Sequence, residues 1–365
     1  MKKILILVDQ LNGHGGIEKL VAIKANYWVD VFQYEVTIVS TEQQQKPLIY
    51  KLSDKVKFID LSINYQREKS YFSASNVVKF LKNIFLIQKY ILQHQPDFIV
   101  VASHIPITYF LPFLLKRSKT IKEFHNTRFN RRVVSFKTKA LNYIESKYDY
   151  LVVLSQEEVG FYPYNNTVVI ANPIERLAVN LIRNSEKSTT AIFVGRLAPV
   201  KQLEQLVAIW SKFIQLKPNW KLHVFGAKEG AYFEQIQERV AELEIQNSFI
   251  FKGQSNAIDS ELLHSKVLLL TSKQECFPMV ILEAQSKGVP VISYDSPTGP
   301  RNIIHNNLDG ILVEYNNSDS FVAELVRFDE DSNLQNSLSE QALRNAANYE
   351  LESIMNRWNT LIFSK

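Results

Sequence analysis

The stretch KVLLLTSKQECFPMVILEAQSKGVPVISYD, residues 266–295, holds the pattern that decides the fold. Residues 266–272 and 290–295 are apolar on consecutive positions, which is typical of buried strands in a parallel sheet. Between them lies a helical pattern that begins near Pro278 and ends at Gly288. A strand, a helix and another strand in this order predict one repeating unit of an α/β sheet.

Similar apolar runs occur along the rest of the chain, and helical patterns such as residues 75–95 separate them. The first series of expected strands comprises 3–8, 35–40, 56–60, 97–102, 120–125, 150–155 and 167–172. The second series comprises 191–196, 221–226, 248–253, 266–272, 290–295 and 310–315. The sequence therefore predicts an α/β protein with two Rossmann-like, doubly wound parallel-sheet domains that face a central cleft.

A polar segment at residues 172–190 separates the two series and is typical of a linker. We accordingly place the first domain at residues 1–175 and the second at 176–340. The tail, residues 341–365, has a helical pattern with no strand after it.

The composition limits the class of protein. Of the 365 residues, 46% are hydrophobic and 22% charged, as in a folded globular protein. The net charge of +5 is compatible with anionic ligands or a membrane surface. The single cysteine, Cys276, excludes an internal disulfide and favours a reducing cytoplasm. No apolar run reaches the roughly 18 residues of a spanning helix, so we expect a cytoplasmic protein with at most peripheral membrane contact.

Charged residues follow the predicted strands of the second domain. Arg196 and Lys201 could grip a phosphate or diphosphate, or could be two solvated charges beside a loop. Glu275 lies in the turn before the predicted helix, and Glu283 lies in its second turn. Their carboxylates could accept hydrogen bonds from sugar or ribose hydroxyls, although glutamates also simply favour this end of a helix. The helix start near Pro278 would point backbone N–H groups at a phosphate.

The first domain carries a glycine-rich loop and two strand-end histidines. The loop LNGHGGIEK, residues 11–19, lets a ligand approach the backbone, or is a plain turn. Glu18 stands where a dinucleotide fingerprint requires its third glycine. His104 and His125 each end a predicted strand. No histidine or cysteine pair has the spacing of a metal site, so we expect no metal.

A basic run covers residues 116–139, with nine lysines and arginines and Glu123 as its one acid. Such a run is usually a solvated face, but it could also rest on anionic lipid headgroups through Arg131 and Arg132. Nucleic acid is not expected as a partner, because no nucleic-acid-binding motif accompanies the run.

Together these residues resemble the family 4 retaining glycosyltransferases, which have the GT-B fold. The resemblance covers nearly the whole chain and rests on GGIEK, EFHN, ANP, VGRLAPVKQLEQLV and VFG. Its most specific part is ECFPMVILEAQSKGVPVISYDSPTGPRNIIHNNLDGILV, which looks like the E-x7-E motif of the family and the strand after it. Cys276 stands where the family usually has a small residue, which puts the shape of the sugar pocket in doubt.

The resemblance implies catalytic roles for Arg196 and Lys201 as a diphosphate clamp, for Glu275 as a contact of the donor sugar, and for His125 near the reacting sugar. Glu283 would hold the nucleotide ribose. The implied donor-binding positions are Gly15, Gly16, Gly195, Gly226, Phe277, Pro278, Met279, Val280 and Glu283.

The implied activity is retaining, metal-independent sugar transfer without a cofactor. The expected donor is a UDP-sugar, and the expected acceptor is a lipid-linked glycan or polysaccharide in cell-envelope synthesis. The segment SPTGP, 296–300, is similar to relatives that use N-acetylhexosamine donors. The tail helix would pack back on the first domain. Two alternatives are a nucleotide-sugar epimerase, which would act on the donor without an acceptor, and a non-catalytic sugar-nucleotide-binding protein.

Overall fold

The computed structural model describes residues 1–13, 15–71, 73–128, 136–162, 164–175 and 186–364, with the backbone alone at residues 136 and 137. The chain forms two compact units. The first comprises Met1–Pro173 and Ile354–Lys365, and the second comprises Ile174–Ser353. The first unit therefore takes its last segment from the far end of the chain.

The first unit is built on a seven-stranded sheet in the order β3-β2-β1-β4-β5-β6-β7, with every pair parallel. Its strands are β1 (Lys3–Val8), β2 (Glu35–Ser40), β3 (Lys57–Asp60), β4 (Phe98–Val101), β5 (Lys119–Glu123), β6 (Tyr150–Val153) and β7 (Thr167–Val169). Its helices are α1 (Gly16–Asp30), α2 (Ala74–His94), α3 (Phe136–Glu145) and α4 (Gln156–Val159), with 3-10 turns at Pro106–Tyr109 and Leu111–Phe113.

The second unit is built on a six-stranded sheet in the order β10-β9-β8-β11-β12-β13, again with every pair parallel. Its strands are β8 (Thr190–Val194), β9 (Lys221–Phe225), β10 (Phe249–Gly253), β11 (Val267–Leu270), β12 (Val291–Tyr294) and β13 (Ile311–Val313). Its helices are α5 (Leu203–Leu216), α6 (Ala231–Glu242), α7 (Ile258–His264), α8 (Met279–Gln285), α9 (Ser318–Glu330) and α10 (Ser332–Ala347).

Consecutive apolar residues form these strands because helices cover both faces of each sheet. All four residues of β4 are buried, and so are all four residues of β11. Each predicted strand run overlaps one strand of the structure, so the predicted class, two doubly wound parallel-sheet α/β domains, is confirmed. None of the helices in the described parts of the chain combines the length and hydropathy that a bilayer crossing requires.

In both sheets the order of the strands reverses at the first strand. Strand β1 pairs with β2 on one side and β4 on the other, and β8 pairs with β9 and β11 in the same way. In parallel α/β sheets, ligands bind beyond the carboxyl ends of the strands at such a switch point. We therefore expect ligands to bind at the loops after β1, β4 and β5 in the first unit and after β8, β9 and β11 in the second.

The C-terminal segment divides between the units at a point that differs from the predicted boundary. Helix α10 stays in the second unit, where Leu338 lies in the core, so that unit extends to residue 353 and not to 340. The following α11 (Leu351–Trp358) crosses the boundary, and from Ile354 onward it belongs to the first unit together with a π-helical turn (Asn359–Phe363). There the ring of Trp28 meets Trp358 and Phe363 edge-on, with centroids 5.6 and 5.2 Å away.

Candidate active site

An ion pair between Lys201 and Glu275 joins the loops that follow β8 and β11. Lys201 Nζ lies 2.5 Å from Glu275 Oε1. The side chains are 16% and 13% exposed, so the pair is largely covered by the second unit but keeps some contact with solvent. The two residues are 74 positions apart in the chain, and the parallel pairing of β8 with β11 brings their loops together.

Backbone contacts hold these two loops in register. The amide of Lys273 donates to the carbonyl of Val200 at 2.8 Å. The hydroxyl of Thr271 lies 3.1 Å from the carbonyl of Lys201 and 3.2 Å from that of Gln202, and can donate to either. Residues Pro199–Lys201 form a 3-10 turn. Gln202 ends this turn in a left-handed conformation with φ 48°, and α5 starts at the next residue. The ammonium group of Lys201 is thus presented by a fixed turn.

Arg196 differs from Lys201 in having no carboxylate beside it. Its side chain is exposed and forms no ion pair with any residue that the structure describes. A guanidinium presents several N–H donors in a planar fork that matches two phosphate oxygens. The second unit therefore offers one uncompensated cation and one paired cation on the same loop.

Gly226 has a packing role that the sequence did not predict. A Cβ at this position would overlap the carbonyl of Gly195 and the side chain of Leu197. At Gly195 an added Cβ would make ordinary contacts, the nearest at 3.5 Å. Gly226 therefore lets the ends of β8 and β9 approach each other, and the donor-binding roles of both glycines stay predictions.

The segment after β12 packs against Glu275 and fixes its position. Thr298 Oγ1 donates to the carbonyl of Glu275 at 2.7 Å, and Thr298 itself has φ 68°, a strained value for a β-branched residue. A Cβ at Gly299 would overlap the Cβ of Glu275. In the sequence, residues 296–300 indicate only a class of donor, and this positioning role becomes visible only in the folded chain.

Helix α8 begins one residue after Pro278, as the sequence predicts, and Gly288 follows its end with φ 62°. Phe277 is buried, with its ring centroid 5.8 Å from that of Tyr349. Met279 and Val280 form the first two helical positions, and Glu283 lies half-buried in the second turn. The contacts of these residues with a donor stay predictions.

In the first unit, the glycine loop encloses a carboxylate. A Cβ at Gly15 would overlap the carboxylate of Glu18, whereas one at Gly16 would meet nothing within 4 Å. Burial raises the pKa of Glu18, and the charge of Asp9 adds to the effect, while a hydrogen bond from its own amide opposes it. Gly15 therefore makes room for Glu18, whereas an added Cβ at Gly16 would face open space among the residues that the structure describes.

His125 lies in a buried charged cluster. Its Nε2 is 3.3 Å from Glu123 Oε2, without the angle of a hydrogen bond, and the same carboxylate pairs with the ammonium of Lys24. Burial lowers the pKa of His125, and Glu123 offsets this only in part. Burial alone would raise the pKa of Glu123, but Lys24 and His125 outweigh it and the pKa falls to about 2. At neutral pH the cluster thus holds a neutral imidazole beside a carboxylate.

A cavity of about 180 Å³ opens beside this cluster. His104, Tyr109, Lys122, Glu123 and His125 are among the residues that line it. His104 Nε2 lies 2.9 Å from the hydroxyl of Tyr109. Burial lowers the pKa of Lys122 to about 7, and its ammonium donates to the carbonyl of Ser103 at 2.7 Å. Lys24, Lys122 and Glu123 were not predicted as site residues, although two charges inside an apolar strand, Lys122 and Glu123, are a signal that the sequence contains.

The basic run is less exposed than predicted. Lys122 and Arg128 are buried, and Arg128 pairs with Glu145 while its guanidinium stacks 4.4 Å from the ring centroid of Tyr162. These two cations therefore do not belong to a solvated face. Arg131 and Arg132 lie outside the described residues. In the described ranges, no group of three or more potential metal ligands occurs.

Comparison with known proteins shows which class of protein these features resemble. Residues 180–345 match the family model described as glycosyl transferases group 1. This range holds every site residue of the second unit. With the two all-parallel sheets, it supports a glycosyltransferase with the GT-B fold.

Individual relatives extend the likeness to the whole chain. The chain is 25% identical to the amylovoran biosynthesis glycosyltransferase AmsD of Erwinia amylovora, covering 99% of this chain and 100% of the relative. It is 26% identical to the lipopolysaccharide 1,6-galactosyltransferase of Escherichia coli, over 89% of each. The crystal structure of HepE from Anabaena in complex with UDP-glucose covers all of both chains with a TM-score of 0.77 at 14% identity, which is a likeness of fold.

Proposed function

We propose that the protein transfers a sugar from a nucleotide diphosphate donor, a UDP-sugar, to a lipid-linked glycan or polysaccharide in cell-envelope synthesis. The observation that carries this proposal is the arrangement at the switch point of the second sheet, where exposed Arg196 stands on the same loop as the Lys201–Glu275 pair. The names of the whole-length relatives, which concern amylovoran and lipopolysaccharide, support the class of acceptor. The UDP-glucose bound to the Anabaena protein supports the class of donor.

The chemistry follows from where charge develops. Breaking the bond between a sugar and a diphosphate leaves negative charge on the leaving group, and fixed cations stabilise it. Arg196 can bind the diphosphate at once, because no described carboxylate competes for it. Lys201 begins in a pair with Glu275. We propose that the arriving diphosphate takes up Lys201, which releases Glu275 to accept hydrogen bonds from sugar hydroxyls.

This arrangement supports a reaction without a resident metal, because the two cations supply the charge that the leaving diphosphate needs. We further propose that the acceptor hydroxyl attacks from the face that the diphosphate leaves, so that the anomeric configuration is retained. His125, Gly15 and Gly16 of the first unit stay predicted contacts of the donor. We propose that the enzyme works in the cytoplasm.

The experiment begins with a thermal-shift screen of UDP-sugars that includes the UDP-N-acetylhexosamines. The best donor is then incubated with lipid-linked acceptors, with and without EDTA, and the linkage of the product is determined. We expect transfer that survives EDTA and retains configuration. Turnover of the donor with no acceptor present would instead identify an epimerase, and binding without turnover a non-catalytic protein.

Arg196→Ala tests this proposal most directly, and Arg239→Ala is its matched control. Arg239 is an exposed arginine on α6 of the same unit. Losing one fixed donor to a leaving group costs on the order of 100–1,000-fold in turnover, so Arg196→Ala should lose about that much. Arg239→Ala should keep parental kcat and KM. Equal turnover in the two variants would refute the diphosphate role of Arg196.

A further inference from the structure

Away from the site, helix α2 presents an apolar stripe to solvent. Val78, Leu81, Phe85 and Leu92 are 72%, 58%, 65% and 52% exposed. Their spacings of three, four and seven residues place them on one side of the helix. A different side of the same helix packs on the first unit through Phe80, Ile87 and Ile91, which are buried. The exposed stripe is therefore not a misplaced core face.

The stripe continues into the neighbouring loop. Gln88 lies between Phe85 and Leu92 and fixes Leu115 through two hydrogen bonds, one to its carbonyl at 2.8 Å and one from its amide at 2.9 Å. Leu115 is 73% exposed. Two residues earlier, exposed Phe113 stacks on Tyr143 of α3. We call this set, Val78, Leu81, Phe85, Leu92, Phe113, Leu115 and Tyr143, the apolar patch.

The charges around the apolar patch are all positive in two long parts of the sequence. Residues 70–96 contain three lysines, Lys79, Lys82 and Lys89, and no acid. Residues 111–121 contain two lysines and an arginine, Lys116, Lys119 and Arg117, again without an acid. Lys82, Lys89 and Arg117 are exposed, and the ammonium of Lys147 lies 4.9 Å from the ring centroid of Tyr143. A surface that binds the patch must therefore accept both apolar side chains and cations.

We propose that the apolar patch and its lysines dock the first unit on a bilayer that contains anionic lipids, with α2 lying in the interfacial plane. An exposed apolar stripe flanked by basic residues has the chemistry of a peripheral membrane helix, in which the stripe enters the headgroup region and the cations meet lipid phosphates. A second copy of this chain fits less well, because a symmetric contact would bring the two lysine rims together. The proposal does not depend on the transfer reaction, and the vesicle measurements below use no substrate.

Phe85→Trp tests the depth of docking directly. The four natural tryptophans, Trp28, Trp210, Trp220 and Trp358, are at most 2% exposed, so they contribute a constant background. On vesicles of phosphatidylglycerol and phosphatidylcholine, we expect the emission of the new indole to shift to the blue and to be quenched by brominated acyl chains. The control is Leu216→Trp, at a position 61% exposed on the second unit, whose emission should not change.

Two double variants separate the apolar and the ionic parts of binding. Leu81→Ser with Phe85→Ser should reduce vesicle partitioning about tenfold or more. Lys82→Glu with Lys89→Glu should reduce partitioning at least about tenfold on anionic vesicles and have little effect on neutral ones. The control pair, Leu216→Ser with Leu308→Ser, removes two exposed leucines of the second unit and should leave partitioning unchanged.

Circular dichroism and the melting temperature of each variant show that the protein is folded before vesicles are added. The proposal is overturned if the patch variants and the control pair partition equally. It is also overturned if light scattering shows a parental dimer that the serine variants dissociate and no partitioning to anionic vesicles. In that case a second copy of the chain, and not lipid, covers the patch.

Discussion

The two units place their candidate site charges in opposite environments. In the second unit, Arg196, Lys201 and Glu275 lie on loops that solvent reaches. In the first unit, Lys24, Glu123 and Lys122 are each 3% exposed. Charges that solvent reaches cost little to keep and can exchange partners with a ligand, whereas buried charges must be compensated by the protein itself. The charges of the first unit are therefore compensated within the fold, whereas those of the second unit could exchange partners with a ligand.

The largest expected effect on stability follows from breaking the buried pair. Glu123→Gln leaves the ammonium of Lys24 buried without its counter-ion, and we expect a loss of about 3–5 kcal/mol in the free energy of unfolding, measured with urea. The counterpart in the second unit is Glu275→Gln. It should cost only about 1 kcal/mol of stability but most of the transfer activity. If both variants lost the same stability, the contrast between the units would not hold.

A double replacement checks the cause of the first result. Lys24→Met with Glu123→Leu removes both charges of the pair and should recover most of the lost stability, because Lys24 is no longer left buried without its counter-ion. A double variant as unstable as Glu123→Gln would show that packing, and not the unpaired charge, sets the cost.

The pH dependence of stability sharpens the comparison further. Burial lowers the pKa of Lys122 to about 7, while the unfolded chain keeps the ordinary value of about 10.4. Between these values the unfolded state binds more protons, so this lysine makes stability rise with pH by up to about 1.4 kcal/mol per pH unit.

We therefore expect Lys122→Met to gain most relative to the parent near pH 7 and least near pH 10. Urea unfolding at pH 7.0, 8.5 and 9.5 measures the difference. Lys228→Met, at a lysine of the second unit outside any buried cluster, serves as the control and should show no trend. A flat difference for Lys122→Met across this range would contradict the lowered pKa.

Two glycines test the support of Glu275, and the smallest expected effect is that of Gly16→Ala. Gly299→Ala would push a methyl group into the Cβ of Glu275, and we expect a loss of about 1–3 kcal/mol of stability together with reduced activity. Gly16→Ala meets nothing within 4 Å at the first position of α1, so it should be neutral or stabilise by up to about 1 kcal/mol. A melting curve and an initial rate for each variant decide whether the support behind Glu275 is as rigid as its geometry indicates.

The sequence predicted the strands, because parallel strands covered on both faces appear as continuous apolar runs that need no knowledge of distant residues. It also placed Arg196, Lys201 and Glu275 at strand ends. It could not place Lys24 against Glu123, which are 99 residues apart, or Thr298 against Glu275, because such pairs depend on which strands become neighbours. The boundary at residue 353 escaped prediction for a similar reason, since the helical pattern of the tail does not show which sheet each turn covers.

The distribution of the C-terminal segment has a consequence for how the protein is made. The aromatic contact of Trp28 needs Trp358 and Phe363, which leave the ribosome more than 300 residues after it. The whole of the second unit, Ile174–Ser353, is synthesised in that interval. During that interval the first unit lacks the aromatic side chains that fill the apolar site beside α1, while the second unit completes its own core. Chaperones that bind nascent chains therefore have the longest time to bind at that site.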